Sequence, residues 1–518
     1  MSGRAKVSVP LAAAVLSALL FAPGTSSADP EHSADDQTVT NEKDGTKIAI
    51  TVFRPSASAR TRVPVILHSH GWAGSRETAI AGTIEEFLDA GFGVVSVDQR
   101  GHGESEGQAN IQDPTKETED IKAVIDRIAS FDWVEHDRRN GKVLANDPVL
   151  GAIGGSYGGG YQTMTALDEI ADEGRTRFNA LAPEITWFDL PESLAPEDVP
   201  RSAWTTVLYA AGSSMVPQYV HEGYAWGAST GQWPNGTLYG EKVPGAVDID
   251  TELSKHGPSW FVKKGVRLNI PVLQRQGTSD NLFNLNQGLK IFDRALTRKA
   301  KKKSLFVAYN GGHALPNAFP PGTAAGDDAC SGNFAKLTIR FFQRTLYGRS
   351  GKGLLPARYN LTTADGEKCL HLNSLRKRRS LKAEAPGTGS IVTPTVAGPP
   401  LNIEVAQGPV TVNGVPKLSG KVTSAALDGR AFIGLAVGTT PADARVVQNN
   451  LMPLRLPRPV QDKKFAIELS GVVVEVPRGQ TLFLTVTPFS DMFFGHGTRT
   501  PGALVLDDVK LSLPVPKD

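Results

Sequence analysis

From about residue 45 to 348 the chain alternates short runs of β-branched and apolar residues with stretches whose apolar residues recur at three- and four-residue spacing. Few architectures accept that rhythm. The runs are too short to be helices and the longer stretches bury only one stripe, so the pattern predicts a mostly parallel sheet with helices on both faces. The expected strands are Lys47 to Phe53, Val63 to Leu67, Gly93 to Val97, Val149 to Ile153, Phe178 to Ala182, Pro271 to Arg275 and Ser304 to Tyr309. Ile80 to Leu88, Glu117 to Ile128, Tyr161 to Ile170 and Phe334 to Leu346 are the expected helices.

Residues 184–262 interrupt the alternation with a long segment rich in tryptophan and tyrosine. An insertion between two core strands is expected to form a helical cap over the carboxyl edge of the sheet, where open α/β sheets place their ligands. Most of its aromatics read as the cap's own core, while Trp187, Tyr224 and Trp226 are the candidates for a substrate pocket. Further on, Glu384 to Pro400 is rich in Gly, Pro, Thr and Ser and marks a boundary. The expected layout is an α/β domain over 29–183 and 263–348, the cap over 184–262, a linker region over 349–400, and an all-β, jelly-roll-like sandwich over 401–518. The sandwich is read from strand-like runs such as Phe432 to Val437, Thr481 to Val486 and Val509 to Leu513.

Residues 1–28 read as a secretory signal peptide: Arg4 and Lys6 precede the apolar run Leu11 to Phe21, and Ser26-Ser27-Ala28 is a small-residue cleavage site. The mature chain is expected to begin at Asp29 outside the cell. No segment has the roughly twenty apolar residues that span a bilayer. Export bears on the only two cysteines, Cys330 and Cys369, because an oxidising compartment favours pairing them. Such a disulfide would close a loop worth about 4 kcal/mol in the chain-entropy model. Two unpaired, buried thiols are the alternative. The 55 basic and 53 acidic residues nearly cancel, so no net field attracts nucleic acid. The basic runs Arg298 to Lys303 and Arg376 to Arg379 read as solvated surface.

Gly154-Gly155-Ser156-Tyr157-Gly158 follows the apolar run Pro148 to Ile153 and opens a helix-compatible stretch. A G-x-S-x-G turn between strand and helix lifts its serine clear of the sheet, which makes Ser156 a candidate nucleophile. Such a serine needs a base to take its proton and a carboxylate to orient the base. In this chain order the acid and base follow later strands: Asp280 comes shortly after Pro271 to Arg275, and His313 lies in Gly311-Gly312-His313 after the run ending at Tyr309. Of the ten histidines, His221 and His256 in the cap are the main rivals. Backbone N–H groups of Trp72, in the loop His68-Ser69-His70-Gly71-Trp72, and of Tyr157 are assigned as the oxyanion hole. The loop Asp98 to Ser105 reads as support beneath the site. No H-E-x-x-H, EF-hand loop, paired C-x-x-C or phosphate-binding G-x-x-x-x-G-K-[ST] occurs, so no metal and no cofactor is implied. His68 and His70 could share a metal, but their place at the oxyanion loop argues against it.

These residues resemble the α/β-hydrolase superfamily and, within it, the X-prolyl dipeptidyl-peptidase and cocaine-esterase family of acyl esterases. The resemblance is carried by Asp98 to Ser105 (D-x-R-G-x-G-x-S), by Trp133 upstream of Gly151 to Gly159, by Ala182-Pro183 and by a β domain after the hydrolase. It implies hydrolysis of a small-molecule ester or a peptide amide through an acyl-serine intermediate, with a jelly roll packed beside the catalytic domain. Known members use a tyrosine hydroxyl on the first oxyanion loop, where this chain has His70-Gly71-Trp72. A dipeptidyl-peptidase must also hold a free amino terminus, and the cap offers Glu192, Glu197, Asp198 and Glu222 for it. The alternative function is a non-catalytic secreted binding protein on a hydrolase scaffold.

Overall fold

The computed structural model describes residues 32–56, 62–313, 326, 328–375, 379–384, 389–393 and 398–516. The expected signal peptide 1–28 lies outside the described residues. At the centre is a ten-stranded sheet built from β1 (Ser33–Thr40), β2 (Lys47–Arg54), β3 (Val65–Ser69), β4 (Gly93–Val97), β5 (Leu150–Gly155), β6 (Phe178–Glu184), β7 (Leu273–Gly277), β8 (Leu305–Tyr309), β9 (Tyr359–Thr362) and β10 (Cys369–Leu372). Its spatial order is β1-β2-β4-β3-β5-β6-β7-β8-β9-β10. The run from β4 to β9 is parallel, and antiparallel strands close both edges.

Central strands such as Val-Ile-Leu-His-Ser and Gly-Val-Val-Ser-Val are apolar on both faces, as a sheet covered twice requires. Alternate residues go to opposite sides. Val65, Leu67, Val95 and Val97 pack with α2 (Glu117–Ala129) and α3 (Tyr157–Glu173), whereas Ile66 and Val94 pack with α1 (Gly82–Asp89) and the helix Phe334–Thr345. The strand period of two thus sorts one sequence run into two cores.

Between β6 and β7 the insertion folds mainly into short helices, the two longest being Ser202–Gly212 and Gln218–Thr230. Among the described residues no helix is long and apolar enough to cross a membrane. The C-terminal region is all β. One five-stranded sheet is organised around Gly502–Val515 and Lys417–Ser424, and a second around Thr481–Thr487 and Gly429–Gly438. Between them lies an aliphatic core that includes Leu418, Ile433, Leu484 and Leu511.

The stretch 349–400 differs from the expected linker. Its first part supplies β9 and β10, which extend the central sheet, and its last part supplies Arg379–Glu384 and Gly389–Thr393, both paired with Gly502–Val515. Those partners are distant in sequence, so local composition carries no trace of the pairing. Cys369, on β10, is disulfide-bonded to Cys330 and ties this added edge to the segment before helix Phe334–Thr345.

Candidate active site

Ser156 stands between β5 and α3 with φ 57° and ψ −118°, a conformation that a non-glycine residue holds only when its surroundings enforce it. Here they do. A Cβ on Gly158 would collide with Ser69 O, and one on Gly154 (φ 145°) would lie 2.6 Å from that same oxygen. The two outer glycines therefore let β3 and the turn of α3 approach closely, and Ser156 N–H is held by Glu184 O at 3.0 Å on β6. The hydroxyl is left at the carboxyl edge of the sheet.

The structure brings Asp280 and His313 to this hydroxyl. His313 Nε2 is 2.8 Å from Ser156 Oγ, and Nδ1 is 2.8 Å from Asp280 Oδ2. The other carboxylate oxygen of Asp280, which is fully buried, accepts N–H bonds from Leu282 at 3.0 Å and Phe283 at 2.6 Å. Trp204 and Phe283 meet the imidazole edge-on at centroid distances of 5.7 and 5.1 Å. An imidazole held between a hydroxyl and a buried carboxylate can take the hydroxyl proton while the carboxylate stabilises the resulting charge.

The loop carrying Asp280 is gripped from several sides. Gln448 Nε2 donates to Thr278 Oγ1 at 2.7 Å, Asn450 Nδ2 donates to Thr278 O at 2.9 Å, and Trp204 Nε1 donates to Asn281 Oδ1 at 2.7 Å. The buried Arg201 guanidinium bonds Asn281 O at 2.9 Å, and its desolvation lowers its pKa to about 10. Gln448 and Asn450 come from the C-terminal β region, some 170 positions away from their targets. No motif in the sequence singles them out, because an amide side chain on a remote β loop has no recurring pattern.

On the opposite side, the loop after β3 runs beside the serine: a Cβ on Gly71 would sit 3.9 Å from Ser156 Cβ. Tyr157 is the first residue of α3, so its N–H has no carbonyl of a preceding turn to bond. Trp72 is fixed by Nε1 donating to Leu208 O at 2.9 Å and by an edge contact with the Tyr157 ring. The Asp98 loop braces this arrangement. Asp98 is fully buried and accepts from Arg76 N–H at 2.6 Å and from its guanidinium, while Gln99 donates its N–H to His70 Nε2 and its amide to Ser69 Oγ.

Among the described residues no other histidine is hydrogen-bonded to Ser156. His70 uses both ring nitrogens, on Gly71 O and Gln99 N–H, so it has none left for a metal shared with His68. Desolvation lowers the pKa of both, that of His68 to about 4. His221 pairs with the Tyr209 hydroxyl at 2.7 Å, and His256 is buried beside Glu252. Among the described residues Asp113, Glu252 and His256 bring potential ligand atoms within 4.8 Å of one another. Lys116 at 3.9 Å from Asp113 and Lys255 at 2.5 Å from Glu252 already balance the carboxylates.

A cavity of about 160 Å³ opens onto Ser156. Trp187 and Tyr224 line it, as do Trp72 and Tyr157. Trp226 does not: it sits two residues from Tyr224 on the helix Gln218–Thr230, roughly 200° around the axis, and faces away. The sequence also missed Ile111, Leu253, Phe283 and His496, which come from four separate segments and share this wall. Burial lowers the pKa of His496 to about 4, which keeps the ring neutral.

A family model described as X-Pro dipeptidyl-peptidase (S15 family) matches residues 44–314. An uncharacterized 31.7 kDa protein of Escherichia coli is 30% identical over 131 residues, which are 25% of this chain and 41% of that protein. The chain spans about two fifths of the length of the curated relatives it matches. Among solved structures, an aminopeptidase from a marine sediment archaeon, Thaumarchaeota archaeon, superposes with a TM-score of 0.67 at 12% identity, covering 96% of this chain and 98% of that one. A CocE/NonD family hydrolase from Staphylococcus aureus superposes with a TM-score of 0.64 at 14% identity, covering 93% of each chain. At these identities the likeness concerns the fold, and it extends through the C-terminal β region.

Proposed function

The chain belongs to the X-Pro dipeptidyl-peptidase (S15) family, and on that premise we propose that it is a serine hydrolase that cleaves an ester or amide bond through an acyl-serine intermediate. The single observation that carries this reading is the hydrogen-bond chain Ser156–His313–Asp280, drawn from the ends of β5, β7 and β8. Ser156 Oγ attacks the acyl carbon as His313 Nε2 takes its proton. The bond to the leaving group breaks, and that group departs with the proton from His313. Water then attacks the acyl-serine, gives a proton to His313, and releases the acid while Ser156 recovers its hydrogen. Backbone N–H groups of Trp72 and Tyr157 are assigned to the carbonyl oxygen, each worth about 10²–10³ in kcat.

In this reading the helices between β6 and β7 act as a cap over the serine, and the C-terminal region acts as a jelly-roll-like wall. The lining of the cavity by Tyr224 and His496 supports both roles. Export after cleavage behind Ala28 belongs to the same proposal, and N-terminal sequencing of the protein from culture medium is expected to begin at Asp29. The nucleophile is tested with a fluorophosphonate probe. Labelling is expected in the native chain and lost in Ser156→Ala, with the adduct on the peptide that holds Ser156. Absence of labelling in a folded native chain would instead favour the non-catalytic binding protein.

A further inference from the structure

The cavity at Ser156 is lined by aromatic and aliphatic side chains, and among the described residues no Asp, Glu, Lys or Arg lines it. Its polar members carry no charge: Ser202 donates to Phe494 O at 2.5 Å, Thr206 accepts from the Tyr224 hydroxyl at 3.4 Å, and the buried Tyr157 hydroxyl has no hydrogen-bond partner among the described residues. The carboxylates that could seat a free amino terminus are committed away from the serine. Glu192 pairs with Lys290, and Asp198 lies 3.6 Å from Arg455. Together with Glu197 they line a different, charged cavity. Glu222 is exposed and bonded by Gln218.

An ammonium group entering the serine's cavity would give up its water and meet no carboxylate among the described residues, whereas a hydrocarbon chain would gain from the same transfer. We propose, resting on the acyl-serine reading, that this cleft takes a neutral, apolar acyl group of roughly ten non-hydrogen atoms and excludes substrates with a free α-amino group. A medium-chain carboxylic ester is then the substrate class, with Ser156 becoming acylated as the alcohol leaves and free fatty acid released by water. The chemistry follows the family; the acyl seat departs from the one its dipeptidyl-peptidase name describes.

The test compares p-nitrophenyl esters from acetate to decanoate, together with the 2-amino analogue of the octanoate, whose ammonium is the only added feature. kcat/KM is expected to rise about fourfold per methylene, from roughly 0.8 kcal/mol per buried CH₂, until the cavity is full. The 2-amino ester is expected to be about 100-fold slower than octanoate. Thr206→Glu and Val220→Glu, at wall positions that are not fully buried, each place a carboxylate in the cavity and should lower that ratio about tenfold. Equal or faster turnover of the 2-amino ester, or of an Ala-Pro amide, by an enzyme that still takes fluorophosphonate on Ser156 overturns the acyl class and leaves the serine mechanism standing. An unchanged ratio in both glutamate variants overturns the wall assignment. No labelling and no turnover of any ester overturns the serine reading itself.

Discussion

Beneath Ser156 the described polar groups meet one another: Asp280 has three hydrogen bonds, His313 has two, and the amides of Gln99, Gln448 and Asn450 hold the loops on which those residues ride. Above it, the wall, drawn largely from the insertion and including His496, presents mostly rings and aliphatic chains with a few hydroxyls and no charged side chain among the described residues. The floor lets only a narrow geometry through, because each buried charge or amide needs its partner within hydrogen-bond reach. The wall's inner surface is set mostly by area and shape, which tolerate exchange of one apolar group for another, although bonds such as Trp72 Nε1 to Leu208 O and Trp187 Nε1 to His256 O fix individual rings. In the proposed reading, reaction and substrate choice are therefore carried by different kinds of interaction, on different elements.

The comparison breaks first, and hardest, on the floor. Asp280→Asn keeps the shape but reverses one hydrogen bond, and kcat is expected to fall by about 10⁴ while the chain stays folded by circular dichroism. A loss below tenfold would remove Asp280 from the reacting group. Next come the amides that reach across from the β region. Gln448→Ala and Asn450→Ala are expected to lower kcat by about 10- to 100-fold, with KM for octanoate changed less than twofold, because they shift the acid's loop and leave the wall alone. A rise in KM with kcat preserved would place them on the wall side instead.

The smallest effect concerns charge on the wall. His496 has a folded-state pKa of about 4, depressed chiefly by desolvation, against an ordinary value near 6.5. Between these values the unfolded chain binds the proton and the folded chain does not, so stability contributed by the neutral ring is present above pH 6.5 and lost as pH falls toward 4. The slope is about 1.36 kcal/mol per pH unit. Desolvation gives His68 and His102 the same direction, while Glu117, raised to about 8 by burial, opposes them between pH 4.5 and 8. His496→Asn isolates one of these. Between pH 6.5 and 4.5 its melting curve is expected to lose about 2–3 kcal/mol less than that of the native chain. Identical losses would mean that His496 carries a proton in the folded wall.

Much of the floor was legible in advance because its signals are local. The elbow, the alternation of runs and the placement of Asp280 and His313 after runs that become β7 and β8 each depend on a handful of neighbouring residues. Boundaries moved by two residues or so, as at β7, expected from Pro271 and observed from Leu273. The polar edge strand β1, with five of its eight residues charged or amide or hydroxyl on exposed positions, gave no apolar alternation to read. β9 and β10 hid inside a presumed linker because their partners lie elsewhere in the chain. The wall was hardest. Tyr224 and Trp226 looked equivalent until a helix set them on different faces, and of the four carboxylates offered as an amine seat three face other partners while Glu197 lines a separate cavity.

The sequence by itself determined the layered α/β class, the strained serine turn and the placing of Ser156, Asp280 and His313 in that order, each after a strand, since these follow from backbone sterics and short-range periodicity. Only the tertiary structure decided that His313 reaches Ser156 and Asp280 at 2.8 Å, that a β region far along the chain grips the Asp280 loop, and that no charged residue among those described lines the cavity beside the serine. Those facts depend on which distant side chains share a small volume, and no local pattern of residues encodes that.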